Sequence, residues 1–395
     1  MNKIFSDRIA DVPKSFIREI LKVAINKDVI SFAGGLPNRD LFPIQALQVA
    51  VNKVFEVYGS DSLQYSNSEG FIELRKYIAN WYKVNHYIKV DIKNILITNG
   101  SQQGLDLLAK IFINEKDDVI IEEPGYLGAI QAFSVFRAKF HPVKLNNNGM
   151  DLVELEYALK YSDPRLMYTV PNFQNPSGIT YTLENRQAVA EKLKGKNIYL
   201  VEDDPYGELN YSGRKNSSFK KIIPDQTILL GTFSKTIVPS FRIGWIIAPD
   251  EIMERLLIAK QASDLHTNAF TQMHAYQYLI NYNANHHISR IKDLYGKQLN
   301  AMLESIDKYF PKEVEYTKPE GGMFLWVTLP EAFSTLRLFN LAIKQNVAFV
   351  PGYPFYIGKT DTNTLRLNFS CVDEKTIYEG IKRLSIAVKK ILSKN

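Results

Sequence analysis

Lys235 lies in the run Gly231-Thr232-Phe233-Ser234-Lys235-Thr236, and Arg242-Ile243-Gly244-Trp245 follows it closely. A primary amine forms an imine with a carbonyl, and a freed amine can carry protons. Hydroxyls on either side of the lysine, with a guanidinium just beyond, make a donor set suited to a phosphate. Together they suggest a phosphorylated aldehyde, pyridoxal phosphate, held covalently at Lys235. A lysine taken alone is ordinarily a solvated surface group. The reading therefore depends on its company.

Four other segments supply that company. Thr98-Asn99-Gly100-Ser101-Gln102-Gln103-Gly104 reads as a strand end opening into a helix, with Ser101 as N-cap and the next amides free for an anion. Val201-Glu202-Asp203-Asp204-Pro205-Tyr206 offers Asp203 to a pyridinium nitrogen, which would keep the ring protonated and electron-accepting. In Pro171-Asn172-Phe173-Gln174-Asn175-Pro176-Ser177-Gly178, Asn175 can donate to the cofactor's phenolate oxygen, as can Tyr206. Tyr126, after Glu122-Glu123-Pro124-Gly125, can stack on a ring face. Each segment alone is also ordinary turn or cap chemistry. Their coincidence carries the argument, because each follows a different short apolar run.

Those runs are the elements that must position the chemistry. Ile95-Leu96-Ile97-Thr98, Val119-Ile120-Ile121-Glu122, Leu166-Met167-Tyr168-Thr169-Val170, Ile198-Tyr199-Leu200-Val201, Thr227-Ile228-Leu229-Leu230 and Ile243-Gly244-Trp245-Ile246-Ile247 read as buried strands. Helical stretches intervene near 103–113, 127–136, 152–160 and 183–193. This alternation predicts an α/β fold whose mostly parallel sheet is covered on both faces. Ligands of such sheets gather beyond the carboxyl ends of the strands, where all five segments sit. Past about 250 the pattern turns to long helices, then to strands at 323–327 and 364–369, which predicts a smaller α+β domain. The expected divisions are an N-terminal arm over 1–40, carrying a helix near 15–24, a large domain over 41–285 and a small domain over 286–395.

Composition excludes several classes. A chain of 395 residues with 45% hydrophobic and 23% charged residues is ordinary for a globular enzyme. The net charge of +6 is small for this length and does not by itself imply nucleic acid. No apolar run approaches membrane-spanning length, and the first residues lack a signal peptide's apolar core. The single Cys371 fits a reducing, cytoplasmic setting. The histidines show no metal-ligand spacing, so no metal is expected.

The motif set resembles the fold-type I pyridoxal-phosphate aminotransferases of class I/II, in particular the aminoadipate and kynurenine aminotransferase branch. MocR-type regulators share that fold as a C-terminal domain. Beyond the segments already quoted, the carriers are Ala33-Gly34-Gly35-Leu36-Pro37, Gln64-Tyr65-Ser66, Pro319-Glu320-Gly321-Gly322-Met323-Phe324 and Leu365-Arg366-Leu367. The resemblance implies a seven-stranded sheet in the large domain, with Lys235 as the imine-forming lysine. It implies that Ser101, Gln102, Thr232, Ser234 and Arg242 hold the phosphate, with Asp203, Asn175, Tyr206 and Tyr126 around the ring. It further implies a homodimer in which Tyr65 reaches the neighbouring subunit's cofactor. Arg366 would grip the substrate carboxylate, and Gly35, Asn175, Arg18 and Phe355 would line the side-chain pocket. Two departures stand out: Thr232 where serine is usual, and Ser240-Phe241 for the common Gly-Leu before Arg242.

The implied reaction moves an α-amino group from an amino acid to a 2-oxo acid by a ping-pong route, with glutamate and 2-oxoglutarate as a default pair. β-Elimination or decarboxylation on the same cofactor would use the same sheet-edge residues. A DNA-binding regulator is disfavoured, since the residues ahead of Phe32-Ala33-Gly34-Gly35 are too few for a helix-turn-helix domain and linker.

Overall fold

The structure is a computed structural model that describes residues 4–10, 28–214 and 216–393. The helix expected near 15–24 and Arg18 lie outside the described residues. No helix among those described is long and apolar enough to cross a membrane.

Fourteen strands are described, from β1 (Ile30–Ser31) onward. The large sheet contains β2 (Ile95–Thr98), β3 (Asp118–Glu123), β4 (Lys139–Asn146), β5 (Gly149–Met150), β6 (Leu166–Thr169), β7 (Tyr199–Asp203), β8 (Thr227–Thr232) and β9 (Gly244–Ile247). Their order is β2-β9-β8-β7-β6-β3-β4-β5. Strands β8, β7, β6, β3 and β4 run parallel, while β9 is antiparallel to both of its neighbours. The seven expected strands are present, and the two-residue β5 hairpins onto β4 as an eighth. Strand β4 escapes sequence detection because Lys-Phe-His-Pro-Val-Lys-Leu-Asn is mixed in polarity and carries Pro142.

Alternate residues of the strands feed opposite faces. Leu96, Val119, Ile121, Leu166, Val201, Ile228, Leu230 and Ile246 face one apolar layer. On the other side, Ile95, Ile97, Leu229 and Trp245 pack in one cluster, and Ile120, Met167 and Leu200 in another. Helices Ser101–Phe112, Leu127–Ser134 and Asp250–Asp264 pack together. With both faces covered, the runs can be continuously apolar.

Parallel direction sends the ends of β2, β3, β6, β7 and β8 to one edge of the sheet. Strand β9 starts at that edge, with Gly244 opposite both Thr98 and Thr232, and so delivers Arg242 there too. The second sheet is antiparallel, in the order β10 (Glu315–Tyr316), β11 (Phe324–Thr328), β14 (Thr364–Asn368), β13 (Val350–Pro351). It sets Arg366 of β14 opposite Trp326 and Val350. Strand β1 pairs in parallel with β12 (Val347–Ala348), which ties the segment from Phe32 onward to this second sheet.

Candidate active site

A cavity of about 380 Å³ opens at the strand-end edge, lined by Gly35, Ser101, Gln102, Tyr126, Asn175, Asp203, Tyr206, Thr232, Ser234, Lys235, Arg242 and Arg366. Val170, Pro205 and Phe324 complete the wall. Tyr65 and Phe355 are not part of it. Tyr65 is 81% exposed, and its ring meets His266 edge-on. Phe355 sits one layer back, its ring 5.2 Å from the Arg366 guanidinium carbon.

Glycines shape the wall beneath Ser101. Gly100, not Ser101, precedes the helix Ser101–Phe112 as its cap residue, at φ 73. Ser101 is instead the first helical residue, so it and Gln102 stand where helix amides have no carbonyl within the helix to bond. A Cβ on Gly100 would come within 2.5 Å of Arg242 Nη2, and one on Gly244 within 2.6 Å of the Ser101 nitrogen. The close backbone approach therefore requires both glycines. Arg242 Nη2 donates to the Asn99 carbonyl at 3.3 Å. Thr232 Oγ1 donates to the Ile243 carbonyl at 2.9 Å and accepts from the Ser234 amide at 3.1 Å. Helix start, Ser234 hydroxyl and Arg242 together form a cradle for a dianion.

Asp203 ends β7 at 1% exposure. Its Oδ2 accepts from the Tyr168 hydroxyl at 2.7 Å, while Oδ1 has no partner. Burial raises its carboxyl to about 7, against the opposing Tyr168 bond. A bare buried carboxylate oxygen is costly, and a protonated ring nitrogen is the partner that would satisfy it. Asn175 and Tyr206 lie side by side, 3.5 Å apart between Nδ2 and the hydroxyl, and burial holds the Tyr206 phenol well above its ordinary value. Two neutral donors side by side in the cavity wall suit an anionic oxygen. These residues fit pyridoxal phosphate.

The opposite wall comes from β14 and the segment after β1. Arg366 Nη1 donates to Asn175 Oδ1 at 2.8 Å, and Nη2 donates to the Ala33 carbonyl at 2.9 Å. Its Nε is buried without a partner, and its carbon lies 4.3 Å from the Phe324 ring centre. Burial lowers the guanidinium to about 10, so it stays charged near neutrality. Lys235 Nζ donates to the Gly35 carbonyl at 2.9 Å. Burial brings this amine down to about 8, helped by Arg366 and Arg242 and opposed by Cys371. An amine at that value is far closer to the neutral, nucleophilic form than an ordinary lysine.

The segments at the sheet edge match the sequence profile of aminotransferase class I and II, which covers residues 27–384. The chain belongs to that family. It is 40% identical to aromatic-amino-acid aminotransferase 1 of Thermococcus litoralis, over 99% of this chain and 95% of that protein. The solved kynurenine aminotransferase of Pyrococcus horikoshii superposes with a TM-score of 0.94 at 40% identity, over 98% and 97% of the two chains. The α-aminoadipate aminotransferase of Thermus thermophilus, solved with a phosphopyridoxyl-leucine adduct, superposes with a TM-score of 0.91 at 38% identity, over 98% of each. This aminotransferase is a pyridoxal-phosphate enzyme that moves an amino group from an amino acid to a 2-oxo acid.

Three supporting groups of the aminotransferase site have no marker in the sequence. Tyr168 reads as one more strand residue, yet it orients Asp203. Glu122 reads only as the last residue of a strand run, yet its fully buried carboxyl is a bracing group. Its carboxylate accepts from the Val170 amide, the Tyr181 hydroxyl and Gln174 Nε2. Gln174 Oε1 in turn accepts from the Ser177 amide, which braces the loop bearing Asn175. Lys260 reads as a solvated helix lysine, yet its side chain has 0% exposure.

Proposed function

We propose that this enzyme exchanges amino groups between glutamate and 2-oxoglutarate on one side and an aromatic or similarly large α-amino acid on the other. The observation that carries the reading is a pairing on one stretch of backbone. Lys235 Nζ is bound to the Gly35 carbonyl, and Arg366 Nη2 to the Ala33 carbonyl. A base and a carboxylate-binding fork are thus fixed two residues apart, as an amino acid's α-carbon and α-carboxylate require. Tyr126, Val170 and Phe324 give the rest of the cavity an apolar lining, suited to a large side chain. The relatives act on substrates named as aromatic amino acids, kynurenine and α-aminoadipate, which supports a roomy pocket.

Bound here, pyridoxal phosphate supplies an aldehyde carbon for amino-group exchange and a ring that accepts electrons. Ser101, Gln102, Ser234 and Arg242 hold its phosphate, with Thr232 keeping the Ser234 turn in shape. Asp203 Oδ1 holds the proton on the ring nitrogen. Asn175 and Tyr206 donate to the phenolate oxygen, and Tyr126 packs on the ring. Arg366 binds the substrate α-carboxylate through its fork and orients the Cα–H bond. Lys235 Nζ takes the proton from the substrate Cα and returns it on the other side of the transfer, acting as base and then acid. Asn175 belongs to both walls, since its Oδ1 holds Arg366 while its Nδ2 faces Tyr206.

The active unit is a homodimer. Ile44, Phe55, Val57, Leu63 and Ile72 are exposed on the same stretch of chain as the exposed Tyr65, and exposed apolar side chains of this kind suit a second subunit. Tyr65 then serves the neighbouring cofactor. Screening amino donors against 2-oxoglutarate, followed through the cofactor's absorbance, tests the substrate reading. Phenylalanine, tyrosine and glutamate should each discharge the yellow colour, and each should regain it with 2-oxoglutarate. Failure of all aromatic donors would overturn the choice of donor, and failure of glutamate the choice of pair.

A further inference from the structure

Behind the Asn99–Ser101 turn lies a polar cluster whose residues are not in the lining of the cavity. Lys260, in the helix Asp250–Asp264, is buried there, and its Nζ spends all three protons. They go to Gln103 Oε1 at 2.7 Å, Asp264 Oδ2 at 2.9 Å and Thr267 Oγ1 at 2.9 Å. Gln103 Oε1 also accepts from the Asn99 amide at 2.8 Å, and its Nε2 donates to Asp264 at 2.8 Å. Asn99 Nδ2 reaches the same Asp264 oxygen at 2.6 Å. Thr267 Oγ1, filled by the lysine as acceptor, donates to the Ile97 carbonyl of β2 at 3.2 Å.

An ammonium has donors only, and that fixes the sense of every bond around it. Gln103 must turn its oxygen toward Lys260, and the same oxygen then captures the Asn99 amide. Thr267 must accept from the lysine, so its own proton goes to the strand end. Without the ammonium, Gln103 loses one of the three bonds that set its sense and keeps only those to Asp264 and the Asn99 amide, so its hold on the turn weakens. The Asn99 carbonyl is also the group that anchors Arg242.

We propose that Lys260 is a positioning residue of the phosphate cradle, holding the Asn99–Ser101 turn and, through it, Arg242 in their binding geometry. The inference rests on the cofactor and is independent of which amino acid is the donor. Its consequence is selective: loss of Lys260 loosens the grip on the phosphate and leaves the grip on the ring.

Release of cofactor from the holoenzyme tests this, comparing the full chain loaded with pyridoxal phosphate against the same chain loaded with pyridoxal. Imine hydrolysis is common to both, so the difference reports the phosphate. In Lys260→Met, release of pyridoxal phosphate should quicken by about tenfold, the effect of losing roughly one charged hydrogen bond's worth of order. Release of pyridoxal should stay at the wild-type rate. Equal acceleration of both, or of neither, overturns the proposal. Removing one member of a buried pair can prevent folding. Should Lys260→Met not fold, Lys260→Gln, which removes the charge but leaves Asp264 and its bonds to Asn99 and Gln103 in place, is read by the same ratio with the same two outcomes.

Discussion

The two walls of the cavity are built in opposite ways. The phosphate wall is mostly backbone, in which β2, β8 and β9 converge, two glycines allow close approach, and the Thr232 hydroxyl and Arg242 guanidinium bind main-chain groups. The carboxylate wall is mostly side chain, and its bonds are long-range in sequence. Arg366 reaches Asn175 and Ala33, and Lys235 reaches Gly35. Backbone geometry is set by the fold and is robust to single changes. A wall hung on one guanidinium fails when that group is lost. Cofactor binding should therefore degrade gradually under mutation, and substrate binding abruptly.

Lys235 stands between the walls, and its loss breaks both. Lys235→Ala should lower the transamination rate by about 10⁴-fold or more, since base and acid are one group, with the colour of the bound cofactor lost. Measurable turnover at the wild-type rate would remove Lys235 from the chemistry. Next in size, Arg366→Leu should raise KM for every amino acid and cut kcat/KM by about 10²–10³-fold, the equivalent of two charge-assisted bonds. The cofactor's absorbance should be retained, which separates the two walls in one variant.

The acidity of Lys235 gives a pH-dependent prediction. Only the neutral amine captures an aldehyde, and below its value of about 8 the neutral fraction rises about tenfold per pH unit. Capture of pyridoxal phosphate by cofactor-free protein should climb up to pH 8 and then level. A rate still climbing at pH 10 would mean that burial has not lowered this lysine. The smallest effect belongs to the backbone wall. In Gly100→Ala the new Cβ displaces Arg242 at a φ of 73 that disfavours side chains. Cofactor affinity should fall by about tenfold, with KM for amino acids nearly unchanged at saturating cofactor.

The same contrast explains what could be seen in the sequence. The sheet was legible where strands are buried on both faces, because continuous runs such as Ile95-Leu96-Ile97 have few other uses. β4 was not, since its flank of the sheet tolerates lysines and a proline. The chemistry at strand ends was legible because each residue sits in a short local motif. Ser101 was misplaced by one position, because Gly100 at positive φ does the capping work that a serine would suggest. The groups that orient the motifs were silent. Tyr168 touches Asp203 from the adjacent strand, Glu122 braces a loop about fifty residues away, and Lys260 meets Gln103 from 157 residues further along the chain. Their partners are set by the fold and leave no local spacing to read.

The imine proposed at Lys235 underlies both walls, and it can be trapped. Borohydride reduction of the coloured holoenzyme, followed by peptide mapping, should place a single phosphopyridoxyl group on Lys235. A label on any other lysine, with residue 235 unmodified, would contradict the account.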